Sequence, residues 1–231
     1  MINIVNTEPD EDDKTFHACV HKDVLCYYSS YYTAALKGGF SEAKQDTVTM
    51  ELPEYQMRNL VQWLYTGTLI SDDESELAGL YFFADEKMML AMRRSIMSRM
   101  VRSHGLANGM DSKDAMSYLH RLPQNSDLFR WLVDHFADLW IRSTDSMHDM
   151  ETLKYDERVP RAFFYQALSR LTTMVRDGDR YETTLDTPCN FHEHLSQDEW
   201  RQSTLATCPF THAYSCADSS SVWSIRLLTV G

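Results

Sequence analysis

Phe16-His17-Ala18-Cys19-Val20-His21-Lys22-Asp23-Val24-Leu25 is the stretch on which the fold turns. Its first half alternates: Phe16, Ala18 and Val20 point one way, and His17, Cys19 and His21 the other. That is the period of a half-buried strand. Its second half changes period. Val24, Leu25 and Tyr28 share one side of a helix predicted over 22–30. A strand that passes straight into a helix points to a mixed fold, with helices covering a small sheet.

On the N-terminal side, Ile2 to Val5 reads as a strand, and the acidic run 8–14 as the hairpin loop that joins it to Phe16. On the C-terminal side, 31–36 gives another helical turn, stopped by Gly38-Gly39. Alternation returns at 47–52, with Val48, Met50 and Leu52 inward and Thr49 and Glu51 outward. Residues 55–66 form a strong amphipathic helix with Leu60, Val61, Trp63 and Leu64 as its stripe, and Gly67 stands where a helix C-terminal glycine belongs. Two more helices are predicted over 74–85 and 89–101, with stripes Leu77/Leu80/Tyr81/Ala84 and Leu90/Arg93/Ile96/Met97/Met100. Residues 1–103 therefore read as one α+β unit.

Residues 104–177 read as all-helical. A helix over 111–121 is interrupted by Pro123, and Ser126 and Asp127 offer the next start. Phe129, Leu132, Val133, Phe136, Leu139 and Trp140 follow at helical spacing. The polar stretch 143–149 breaks this helix, and Pro160 opens another that turns Phe163, Phe164, Ala167, Leu168 and Leu171 inward. Residues 178–231 show weak periodicity and are expected to be a mostly irregular tail holding three of the five cysteines and three of the nine histidines.

Composition narrows the function classes. The 231 residues carry 34 acidic against 22 basic side chains, a formal net charge of −12, which repels phosphate backbones and argues against a nucleic-acid partner. Arg93, Arg94, Arg99 and Arg102 cluster in sequence and are expected to be the polar face of a helix. No apolar run approaches the roughly 18–20 residues that a membrane span needs. No secretory leader is read at Met1, and the cysteine count is odd. The expectation is a reduced, intracellular protein with no membrane partner, cytoplasmic or nuclear. No phosphate-cradling glycine loop is present. Cys26 and His21 are a nearby thiol–imidazole pair, but packing accounts for both, and no catalytic residues are expected.

Several further phrases can be placed beside the opening stretch. Ser29-Ser30-Tyr31-Tyr32 leads into Ala34-Ala35-Leu36; Gly38-Gly39-Phe40-Ser41-Glu42-Ala43 follows; then Trp63-Leu64-Tyr65-Thr66-Gly67 and Leu80-Tyr81-Phe82-Phe83-Ala84-Asp85-Glu86-Lys87. In this order they resemble the signatures of a BTB/POZ domain. The opening stretch corresponds to the family's "F-x-V-H-K-x-x-L", shifted by a short insertion before the His, and the G-F-x-E-A turn is seen especially in fungal members. Asn125-Ser126-Asp127-Leu128-Phe129 and Val159-Pro160-Arg161-Ala162-Phe163-Phe164 are similar to the helical region after fungal BTB domains. The resemblance covers residues 1 to about 175 and implies a BTB/POZ fold with a helical extension. It implies a protein–protein interaction module without enzymatic activity. The family's extra helix before the first strand and its usual "D-V" dipeptide have no counterpart here. A domain-swapped dimer is therefore not expected, although a homodimer by another route stays open.

Within the family, the resemblance points to substrate adaptors of cullin-based ubiquitin ligases. Their hydrophobic-x-Glu motif falls here on Phe40-Ser41-Glu42, an apolar anchor beside a carboxylate. A self-associating or transcription-linked scaffold is the alternative. Met88, Met89 and Met92 are further candidates for an adaptable partner surface, although core filling is the ordinary reading of methionines at helical spacing. A third reading places function in the tail. There Cys189-x-x-His192-x-His194 and Cys208-x-x-x-His212-x-x-x-Cys216 supply the ligand types that zinc prefers, at spacings of no standard finger. A plain tail with reduced thiols is the alternative, and no other cofactor is expected.

Overall fold

The computed structural model describes residues 1–6, 15–103, 118–142, 159–177, 191 and 198. By packing, Met1–Glu193 is one compact unit and His194–Gly231 a second. Strands β1 (Ile2–Asn6), β2 (His17–Val20) and β3 (Thr47–Met50) form a mixed sheet in the order β2-β1-β3. β1 runs antiparallel to β2 with Ile4 opposite Ala18, and parallel to β3 with Ile4 opposite Val48. The register puts Ile2, Ile4, Asn6, Val20 and Met50 on one face, where all five are buried. Asn6 is tolerated there because its Oδ1 accepts the Phe16 N–H at 2.7 Å, which closes the end of the β1–β2 pair. The expected hairpin follows from this pairing, while its loop at 8–14 lies outside the described residues.

Helices α1 (Lys22–Tyr28), α2 (Ser30–Lys37), α3 (Glu54–Thr66), α4 (Glu74–Glu86) and α5 (Leu90–Ser103) cover the sheet. α1 packs on α2, α3 and α5; α4 packs on α3 and α5. A short 3-10 turn, Ser41–Lys44, follows α2. The α3 stripe is where the sequence puts it: Leu60, Trp63 and Leu64 are buried, and Val61 is half-buried. Gly67 takes φ +70° and returns its N–H to the Trp63 carbonyl at 2.8 Å, the left-handed cap for which glycine is suited. α4 begins at Asp73, whose carboxylate accepts the Glu76 N–H at 2.9 Å.

Two expectations are corrected. The α5 stripe is rotated: Met89, Met92, Ile96, Met97, Met100 and Val101 are buried, while Leu90 and Arg93 are only half-buried. Of the arginine cluster only Arg102 is exposed. Arg94 is buried, Arg93 pairs with Asp85, and Arg99 Nε lies 2.5 Å from Asp72 Oδ1. Just after β2, His21 is held by Tyr65, whose hydroxyl accepts the His21 backbone N–H at 2.9 Å and faces its ring Nδ1 at 3.0 Å.

In the extension, helices α6 (Asp127–Arg142) and α7 (Arg161–Asp177) pack on each other. The Ser126 hydroxyl accepts the Phe129 N–H at 3.2 Å, the N-cap expected from the sequence. Phe163 stands edge-on to Phe129 and Phe136 between the two helices, and Arg170 forms an ion pair with Asp134 across them, its Nε 2.9 Å from Asp134 Oδ1. Residues 118–122 fasten the extension to the α+β zone. Tyr118 packs on Phe82 of α4, Arg121 lies over the same ring at 4.5 Å, and Leu119 and Leu122 are buried. One α7 residue departs from the reading: Leu168 is 64% exposed and faces away from α6. The expected helical start over 111–117, the polar break at 143–149 and the side chains of Leu139 and Trp140 lie outside the described residues.

Candidate functional site

Ser29 organises the surface around α2. It separates α1 from α2 in extended conformation, and its Oγ accepts the Tyr32 N–H at 3.0 Å as the α2 cap. The same hydroxyl donates to the Lys87 carbonyl at 2.5 Å. A fully buried side chain therefore ties the start of α2 to the α4–α5 turn. Thr33 reinforces the α1–α2 corner by donating to the Cys26 carbonyl at 2.7 Å.

The α4–α5 turn has a Schellman geometry: Met89 N–H reaches the Ala84 carbonyl at 2.7 Å, and Met88 N–H reaches the Asp85 carbonyl at 3.0 Å. The left-handed position of such a cap is ordinarily glycine. Here it is Met88, at φ 53°. A methionine in that region costs about 1–2 kcal/mol relative to ordinary backbone. Its side chain adds nothing to the core, being 61% exposed. Instead its sulfur takes the Ser30 hydroxyl at 3.3 Å, and its neighbour Lys87 lays its ammonium 4.8 Å above the Tyr31 ring. Tyr27, 82% exposed at the end of α1, stands edge-on to Tyr28.

From Tyr31, the exposed flank of α2 passes over Ala34 and Gly38 at helical spacing and ends at Phe40, 62% exposed just before the 3-10 turn. Tyr31 and Gly38 are separated by about two turns of helix, roughly 10–11 Å along its axis. The rim is charged: Lys37 and Asp23 pair at 2.6 Å, and the Lys37 bond holds the Asp23 carboxyl below the usual carboxylate range. The surface thus offers flexible and aromatic apolar anchors among polar neighbours, the composition of a protein docking site.

The structure separates the sequence candidates. Phe40 and Met88 are exposed. Ser41 and Glu42 open the 3-10 turn, with side chains outside what is described. Met89 and Met92 are withdrawn as partner residues. They are fully buried, because the Schellman turn folds Met89 back over Ala84 and Met92 lies on the inner side of α5. Tyr27, Tyr31 and Lys87 were not singled out by sequence. The run Tyr27-Tyr28-Ser29-Ser30-Tyr31-Tyr32 carried the only hint, since helical phase lets just one tyrosine of each pair face the core. Cys26 donates weakly to the Tyr32 carbonyl at 3.6 Å, while His21 is engaged with Tyr65. Cys189, His192, His194, Cys208, His212 and Cys216 lie outside the described residues, among which no group of His, Cys, Asp and Glu is arranged to hold a metal ion. No helix among the described residues is long and apolar enough to cross a membrane.

A small three-stranded sheet under five helices, with this α1–α2 corner, agrees with the comparison to known families: the model of the BTB/POZ domain matches residues 10–102. The chain carries a BTB/POZ domain. It is also similar to BTB/POZ domain-containing protein 9 of Drosophila melanogaster, 23% identical over 169 residues, which are 72% of this chain and 23% of that protein. The chain therefore spans under a quarter of the length of that relative. BTB/POZ domains bind other proteins, so this one is a protein–protein interaction module.

Proposed function

We propose that the BTB domain docks a cullin-type scaffold along the exposed flank of α2, and that the protein acts as an adaptor for a ubiquitin ligase. The observation that carries this reading is Phe40, an aromatic side chain 62% exposed at the head of the Phe40-Ser41-Glu42 motif, where a core residue would be covered. Tyr31 and Met88 supply a second apolar anchor at the other end of the helix, and Lys87 supplies donors for a partner carboxylate. Free thiols at Cys19 and Cys26 go with an intracellular setting.

The test uses the full chain and a purified cullin N-terminal domain in a titration calorimeter. Phe40→Ala combined with Glu42→Ala is expected to weaken binding at least about a hundredfold, as loss of a central aromatic anchor does, with the thermal midpoint unchanged. Wild-type protein that shows no binding, or a double variant that binds like wild type, sinks the proposal. A stable homodimer that ignores the cullin would favour the self-associating scaffold.

A further inference from the structure

Helix α7 is apolar on two opposite sides. Phe163, Ala167 and Met174 are buried on the side that meets α6. At 100° per residue, Tyr165, Leu168, Thr172 and Val175 share the opposite side. Tyr165 is 76% exposed and Val175 75% exposed, and Leu168 lies between them, also bare. Single exposed leucines are ordinary. A stripe of Tyr, Leu and Val over roughly 15 Å of one helix is a face suited to burial.

The charge on that stripe narrows what covers it. Arg161 continues the same line at its N-terminal end; it is exposed, and no acidic residue stands in the first turn of α7. A cation there faces the positive end of the helix dipole, the end that favours a carboxylate. A carboxylate brought from outside would meet both the guanidinium and the first N–H groups. The stripe itself has no carboxylate to offer, so a second copy of this face would bring arginine and no counter-charge.

We propose that the outer face of α7 docks an amphipathic helix of a separate protein, with leucine-type side chains along one side and a carboxylate at the end that meets Arg161. This surface belongs to the helical extension and does not depend on the α2 reading. It gives the molecule a second binding face for a helical partner.

The probe is a fluorescently labelled synthetic peptide of about five turns, leucine along one helical face and glutamate at both ends, with a twin carrying lysine for glutamate. Anisotropy is measured on the full chain. The glutamate peptide is expected to bind at least about tenfold more tightly than the lysine twin. Leu168→Asp should weaken it at least about tenfold, and Arg161→Glu should reverse the preference. Both positions are exposed, so the melting curves of the variants should overlay wild type. Tyr165→Ser, milder still, should weaken binding in the same direction. Phe40→Ala should bind like wild type, which keeps this face distinct from α2. Absence of binding, equal binding of the two peptides, or binding indifferent to Leu168→Asp overturns the proposal. So does a homodimer in light scattering that Leu168→Asp dissolves, because the face would then be occupied by a second copy.

Discussion

Met88 holds the left-handed position of a helix cap while its side chain stands in solvent. The core gains nothing from that choice, since glycine would reach the same backbone angles without a Cβ penalty. Met88→Gly is therefore expected to raise stability by up to about 1 kcal/mol in urea unfolding and to weaken partner binding in the same preparation. A loss of stability would show that the side chain serves packing instead. Tyr32 makes a different residue-scale prediction. Burial pushes its phenol well above the usual value of about 10. A raised folded pKa means the contribution is complete below about 10 and is lost as pH climbs through and beyond that value. Stability should fall steeply in that alkaline window, and Tyr32→Phe should flatten the fall. Tyr28 is raised by burial in the same direction, so some slope should remain.

At the scale of elements, the crossing of α3 and α4 depends on Gly79. A Cβ there would lie 2.2 Å from Gln56 Nε2, whose amide donates to the Glu76 carbonyl at 3.2 Å. Gly79→Ala must displace a buried amide from its partner and is expected to cost about 1–3 kcal/mol in chemical denaturation. An unchanged or higher midpoint would show that Gln56 finds another acceptor. Trp63, buried on the same helix against Tyr28, tests placement of the α3 stripe: Trp63→Ala should cost about 3–5 kcal/mol. Much of α3 was legible in the sequence, because a strong apolar period and a terminal glycine are local signals. The phase of α5 was not. Met89, Met92 and Arg94 became internal because the Schellman turn sets where the helix starts, and the arginines found acids on α4 and in the segment before it.

At the scale of the molecule, residues 118–122 join the α+β zone to the α6–α7 pair through Tyr118, Leu119, Arg121 and Leu122. Met1–Glu193 is accordingly expected to melt in one transition, with far-ultraviolet dichroism and tryptophan fluorescence coincident. Two separated transitions would show that the extension folds independently. A chelator should leave that transition in place, because the unit has an apolar core of its own. By itself the sequence determined the mixed α+β zone, the order of its elements and the helical extension. Each of these is written in side-chain periodicity, capping residues and short phrases that need no distant contact. Only the tertiary structure decided which outward residues stay bare. Tyr27 and Tyr31 are exposed and Tyr32 is buried because the Ser29–Lys87 bond fixes how the α1–α2 corner lies against the α4–α5 turn. Leu168 is exposed because α6 presents one face to α7 and covers only the Phe163 side. Burial depends on what lies across a gap in space, and a period along the chain records only that a residue has a side.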